Sequence, residues 1–197
     1  MILDLNSVRI ILASASPRRR ELLRQAGIEN FEIMPPSCGE PNTIGLPPDE
    51  AVQKLAIIKC ENVSGRVSGQ ALIIAADTMV HFDGRLLGKP SNEAEAYSML
   101  KRLSGDKHTV YTGLAVKLGD MTCCSSEASD VFFREISDRE IKAYIKTGEP
   151  MDKAGAYGIQ GRGSIFARKI EGDFFNVVGL PLCKLCTMLS EMGVNLL

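Results

Sequence analysis

The pattern of apolar and polar positions divides the chain into short, closely spaced elements. Residues 8–13 (VRIILA) form an apolar run that predicts a buried strand. Ser16 and Pro17 follow as the N-cap and first turn of a helix, Leu22, Leu23 and Ala26 give it one apolar stripe, and Gly27 stops it. Residues 31–34 predict a second strand. After a loop over 35–48 containing several prolines and glycines, a helix over 49–63 turns Val52, Leu55, Ala56 and Ile58 inward. Residues 71–76 (ALIIAA) are continuously apolar, as in a strand covered on both faces, and this strand is expected to end at Asp77-Thr78.

Further along, Asp83-Gly84 signals a tight hairpin turn within 79–87. A helix over 93–103 closes at Gly105, and two strands over 108–118 and 121–134 turn at Gly119-Asp120. Ser137 and Glu140 form a capping box that opens a helix to about Lys146. A glycine-rich loop over 155–163, strands over 164–170 and 174–178, and an amphipathic helix over 181–192 complete the chain. Hairpins and crossovers both occur, so the expected architecture is α/β with a mixed central sheet flanked by helices. One domain is the default for 197 residues.

Bulk composition narrows the function. A net charge of −1 lacks the basic excess of a protein that binds a nucleic-acid polymer. The first apolar run is short and lacks a basic leader, and no stretch approaches the roughly 18 apolar residues of a membrane span. Six cysteines in a chain of this size fit reduced thiols, so a cytoplasmic location is expected. Cys183 and Cys186 share an amphipathic helix with Leu182, Leu185 and Leu189, which favours packing over redox or metal chemistry. With only His81 and His108 present, zinc sites and Ser-His-Asp catalysis have little support.

The chemistry concentrates at residues 14–20 (SASPRRR). A strand entering a tight turn and then a helix presents backbone N–H groups and the positive end of a helix dipole. Arg18, Arg19 and Arg20 stand against that dipole, an arrangement that suits an anion; solvated surface arginines are the plainer alternative. Asp77, beyond the most apolar run, could hold a divalent metal, act as general base, or cap a turn. Lys59 and Lys89 gain meaning only beside a phosphate. Gln160 in the glycine-rich loop offers both a donor and an acceptor.

Together, the segments Ser14-Ala15-Ser16-Pro17-Arg18-Arg19, Ala76-Asp77-Thr78, Gly88-Lys89-Pro90, DKAGAYGIQG over 152–161 and Val178-Gly179-Leu180-Pro181 resemble the Maf family of nucleotide pyrophosphatases. The resemblance implies an elongated central sheet, two lobes around a deep cleft, and a homodimer. It implies that Asp77 activates water beside Mg²⁺ or Mn²⁺, with Glu40 helping to hold the ion. Ser14, Arg19, Lys59 and Lys89 would grip a triphosphate, and Arg18, Thr78 and Gln160 match the branch acting on dTTP and UTP. Glu40 stands without the neighbouring acid often found in that loop, and Arg20 has no assigned role. A nucleotide-binding regulator of septum formation with little turnover is the rival; the presence of Asp77 and Glu40 speaks against it.

Overall fold

The computed structural model describes residues 8–39 and 41–196 and the backbone of residues 3–4. Its strands are β1 (Leu3–Asp4), β2 (Ile10–Leu12), β3 (Glu32–Ile33), β4 (Leu72–Phe82), β5 (Arg85–Leu87), β6 (Lys107–Leu118), β7 (Met121–Phe133), β8 (Ala167–Glu171) and β9 (Val194–Asn195). The helices are α1 (Pro17–Gln25), α2 (Pro48–Ser64), α3 (Glu93–Leu103), α4 (Asp138–Ile145), α5 (Phe174–Val178) and α6 (Leu182–Glu191). Seven strands form one mixed sheet in the order β3-β2-β4-β6-β7-β8, with β5 paired to β4. β2 runs parallel to β3 and β4, whereas β5 and β8 pair antiparallel with their neighbours. β1 and β9 form a separate parallel pair. The α/β class and the mixed sheet are as the sequence predicts. Among the described residues, no helix is long and apolar enough to cross a membrane.

The chain divides into two compact units: one takes the residues up to Asp77, Thr112–Glu127 and the residues from Gly179, the other Thr78–Tyr111 and Ala128–Val178. In the first, Ile11, Ile73 and Ala75 from the strands, with Ala13 just after β2, pack with Ala56, Cys60 and Val63 of α2. The helix backbone lies directly on the sheet at Gly113, where an added Cβ would come within 2.2 Å of the Val52 carbonyl oxygen. In the second unit, α3 and α4 cover Val80, Val110, Val131 and Phe133. The Phe133 ring meets the rings of His108 and Tyr157 edge-on, with centroids 4.8 and 4.7 Å away.

Local signals in the sequence account for several boundaries. The Ser16 side chain caps α1, Pro17 takes its first position, and the Ser137–Glu140 capping box opens α4. Asp83 and Gly84 both have positive φ, as a two-residue hairpin of this type requires.

Four expectations are corrected. β4 does not end at Asp77-Thr78 but continues to Phe82, because the Asp77 carboxylate finds a buried partner and the β-branched Thr78 suits a strand. Residues 174–178 form α5 instead of a strand. The Asp173 side chain accepts from the Phe175 N–H at 2.7 Å, and the buried Asn176 amide donates to Val110 O and Ser129 Oγ. These contacts override the strand preference of Phe-Phe-Asn-Val-Val. Residues 162–166 form a 3₁₀ turn, so β8 begins only at Ala167. On α6 the buried stripe is Leu185, Met188 and Leu189, leaving Cys183 exposed and Cys186 half-buried.

Candidate functional site

In the first unit, three short segments bring polar side chains together behind the start of α1. Ser14 is buried, and its Oγ accepts from the Ser16 N–H and from Arg19 Nη1, each at 3.2 Å. Arg19 also donates from Nη1 to Ala76 O and from Nε to Gly179 O, both at 2.8 Å. One guanidinium thereby ties the turn after β2, the middle of β4 and the segment before α6. Burial pushes the Arg19 pKa down, the nearby Asp77 charge pushes it up and Arg18 pushes it down, with a net lowering. The group stays charged, because arginine does not deprotonate in proteins.

Asp77 lies in the interior of β4, where Lys59 of α2 donates from Nζ to its Oδ1. Both side chains are largely withdrawn from water, at 17% exposure for Lys59 and 10% for Asp77. Such an ion pair needs good geometry and further hydrogen bonds to offset its desolvation, so it is weak evidence for stability by itself. Arg18 follows Pro17 on α1 and is half-buried.

The second unit holds Thr78, Lys89 and Gln160. Thr78 is half-buried in β4, while Lys89 and Gln160 are exposed. The Gly155 N–H donates to Gly88 O at 3.0 Å, fastening the turn that carries Lys89 to the loop that carries Gln160. That loop has its own anchor, which sequence reasoning missed. Glu149 accepts the Tyr144 hydroxyl at 2.9 Å, the Arg162 N–H at 2.9 Å and the Gly163 N–H at 3.2 Å. The Tyr144 hydroxyl in turn accepts the Gly158 N–H at 3.1 Å. Burial pushes the Glu149 carboxyl up, but the Arg162, Gly163 and Tyr144 donors and the Lys153 charge outweigh it, and its pKa is lowered. The usable signal was the glycine loop itself, since backbone N–H groups in such a loop require acceptors.

The structure therefore gathers Ser14, Arg19, Lys59 and Asp77 in one unit, and joins the Lys89 and Gln160 segments in the other. Glu40 lies outside the described residues. Among the described residues, no group of three or more His, Cys, Asp or Glu is placed to hold a metal. The donors in the first unit, the Asp77 carboxylate and the Ser14 hydroxyl, are hard oxygens. They fit a cation that arrives with phosphate oxygens, as Mg²⁺ commonly does, better than a cage made by protein alone.

A family model for Maf-like protein matches residues 9–192. The chain belongs to the Maf family. A Maf relative from Caldicellulosiruptor saccharolyticus, named dTTP/UTP pyrophosphatase, is 50% identical over 196 residues, covering 96% of this chain and 97% of its own. Another with that name, from Methanosarcina mazei, is 48% identical over 189 residues, covering 95% of each chain. The fold extends further: a HAM1 protein from Coxiella burnetii superposes on this Maf chain with a TM-score of 0.53 at 15% identity, covering 93% of this chain and 99% of that one.

Proposed function

We propose that this chain hydrolyses dTTP and UTP between the α- and β-phosphates, releasing the nucleoside monophosphate and pyrophosphate. The carrying observation is the buried Asp77 carboxylate, held by Lys59 with the Arg19 guanidinium nearby, in a chain about half identical to relatives bearing that activity in their names. Asp77 takes a proton from water, the water oxygen attacks the α-phosphorus, and the bond from that phosphorus to the bridging oxygen breaks. The electron pair leaves with pyrophosphate, whose charge must be neutralised.

Ser14, Lys59 and Lys89 hold the triphosphate. Arg19 contributes positive charge more than a bidentate grip, because its Nε and Nη1 already donate to backbone carbonyls. Mg²⁺ or Mn²⁺, held by Asp77 together with Glu40, would supply charge neutralisation on the phosphates and a more acidic water. Arg18, Thr78 and Gln160 read the base. Gln160 can match a carbonyl and an imide N–H together, and uracil and thymine offer that pair along one edge. A cytoplasmic location accords with six free cysteines. The homodimer follows the family pattern.

The test is a panel of dTTP, UTP, CTP, GTP and ATP with metal, detecting phosphate and pyrophosphate separately. Pyrophosphate as product and higher kcat/KM on dTTP and UTP are expected. Diphosphate plus orthophosphate as main products would overturn the reaction; equal efficiency on GTP and UTP would overturn the base assignment.

A further inference from the structure

The loop carrying Gln160 is held by contacts on both sides of that residue. On the N-terminal side, the Gly158 N–H donates to the Tyr144 hydroxyl. On the C-terminal side, the Arg162 and Gly163 N–H groups donate to the two oxygens of Glu149. The bracket is closed, because the Tyr144 hydroxyl itself donates to Glu149 Oε1 at 2.9 Å. Only Ile159, Gln160 and Gly161 lie between the pinned positions.

The packing leaves little freedom. A Cβ at Gly161 would sit 2.4 Å from Glu149 Oε1, and one at Gly163 would sit 2.7 Å from the Tyr144 hydroxyl. Upstream, Gly155 and Ala156 both have positive φ, at 66° and 60°. Alanine at such a φ is unfavourable and persists only where surrounding contacts enforce it. Glu149 is itself anchored, with its N–H on Thr147 Oγ1 at 3.2 Å and its carbonyl accepting from Lys153 Nζ at 2.8 Å.

We propose that Glu149, with Tyr144, is a positioning residue for base selection, holding the exposed Gln160 in the orientation that reads the pyrimidine edge. The inference rests on the base contact proposed for Gln160. Three donors converge on one carboxylate, and the segment they fix is the one carrying the selecting side chain. A polar group discriminates strongly only when its position is fixed before the ligand arrives, since a misplacement of about 1 Å can cost orders of magnitude in rate. Neutralising the carboxylate as an amide replaces one accepting oxygen by a donor, so one of the N–H groups it now satisfies loses its partner.

The experiment measures kcat/KM for UTP and GTP in the parent protein, Gln160→Ala, Glu149→Gln and the double variant, with a thermal melt of each. Gln160→Ala and Glu149→Gln should each lower the UTP-to-GTP ratio by about 10-fold. In the Gln160→Ala background, Glu149→Gln should lower it no further, because the two act as one unit. Additive losses, or a Glu149→Gln protein with a lowered melting temperature but the parental ratio, overturn the proposal while leaving the Gln160 contact standing. A parental ratio in Gln160→Ala refutes the base contact, and the proposal falls with it. If Glu149→Gln does not fold, Tyr144→Phe removes both the donor to Glu149 and the acceptor for Gly158, and is read by the same criteria.

Discussion

Lys59 Nζ donates to Oδ1 of Asp77, linking helix α2 to the interior of strand β4 inside the first unit. A carboxylate inside a strand is held more rigidly than one on a loop, and here its partner comes from a helix that lies close to the sheet where Val52 approaches Gly113. The catalytic role proposed for Asp77 and the contribution of the pair to stability can be separated by variants.

Asp77→Asn keeps the shape but removes the proposed proton acceptor, and turnover should fall by roughly 10² or more. Lys59→Met strands a buried carboxylate and should destabilise the fold by about 2 kcal/mol, whereas the double variant recovers part of that loss. Urea unfolding of the four proteins checks the stability cycle, and steady-state kinetics checks turnover. Near-parental turnover in Asp77→Asn would remove it from the mechanism.

Arg19→Lys retains a charge but cannot reproduce the fork to Ala76 O, Ser14 Oγ and Gly179 O. A loss of about 2 kcal/mol in stability should accompany any fall in activity. An unchanged melting temperature with lost turnover would mean that the fork serves the substrate alone.

His108 is buried against Phe133, its Nε2 is 2.8 Å from the Tyr157 hydroxyl, and its Nδ1 lacks a hydrogen-bond partner among the described residues. Burial lowers its pKa from 6.5 to about 4, against a small opposing effect of Asp130. Between those two values the unfolded chain binds more protons than the folded one, so this contribution is intact above pH 6.5 and is lost as pH falls towards 4. The loss amounts to about 3 kcal/mol. Urea unfolding across that range should show the slope in the parent and a flatter one in His108→Phe; parallel curves would refute it.

The cysteines should differ in reactivity. Cys60 is buried and its thiol is pushed up to about 12, chiefly by burial, while Cys124 and Cys183 are exposed. A thiol-specific alkylating reagent at neutral pH should modify Cys124 and Cys183 in the native protein and Cys60 only on unfolding. Mass spectrometry of modified peptides reads this directly, and early labelling of Cys60 would contradict the packing described. Cys183→Ala should change stability by less than about 0.5 kcal/mol, since its side chain is outside the core.

Elements whose signals are local were legible in the sequence: the Ser16 cap of α1, the Ser137 capping box and the Asp83-Gly84 turn depend on residues within a few positions of one another. What escaped depends on distant partners. The passage of β4 through Asp77 becomes reasonable only once Lys59 is known to face it, and α5 only once Asn176 is seen to reach Val110 and Ser129. The candidate site divides in the same way. Ser14, Lys59 and Asp77 were named from motifs and do assemble, but the engagement of Arg19 with Ala76 and Gly179 was invisible, as was Glu149. Carbonyl acceptors leave no trace in residue type, and an isolated glutamate before Pro150 looks like any surface acid.

The pairing of β1 with β9, and the reach of Arg19 to Gly179, impose an order on folding during synthesis. The second unit draws only on residues 78–178, so all of its chain is available before the first unit can be completed. The first unit waits for Gly179 to accept from Arg19, and for Val194 to lie beside Leu3. Until Gly179 leaves the ribosome, Arg19 lacks one of its carbonyl acceptors. A nascent chain stopped short of that point would carry the candidate site only in part.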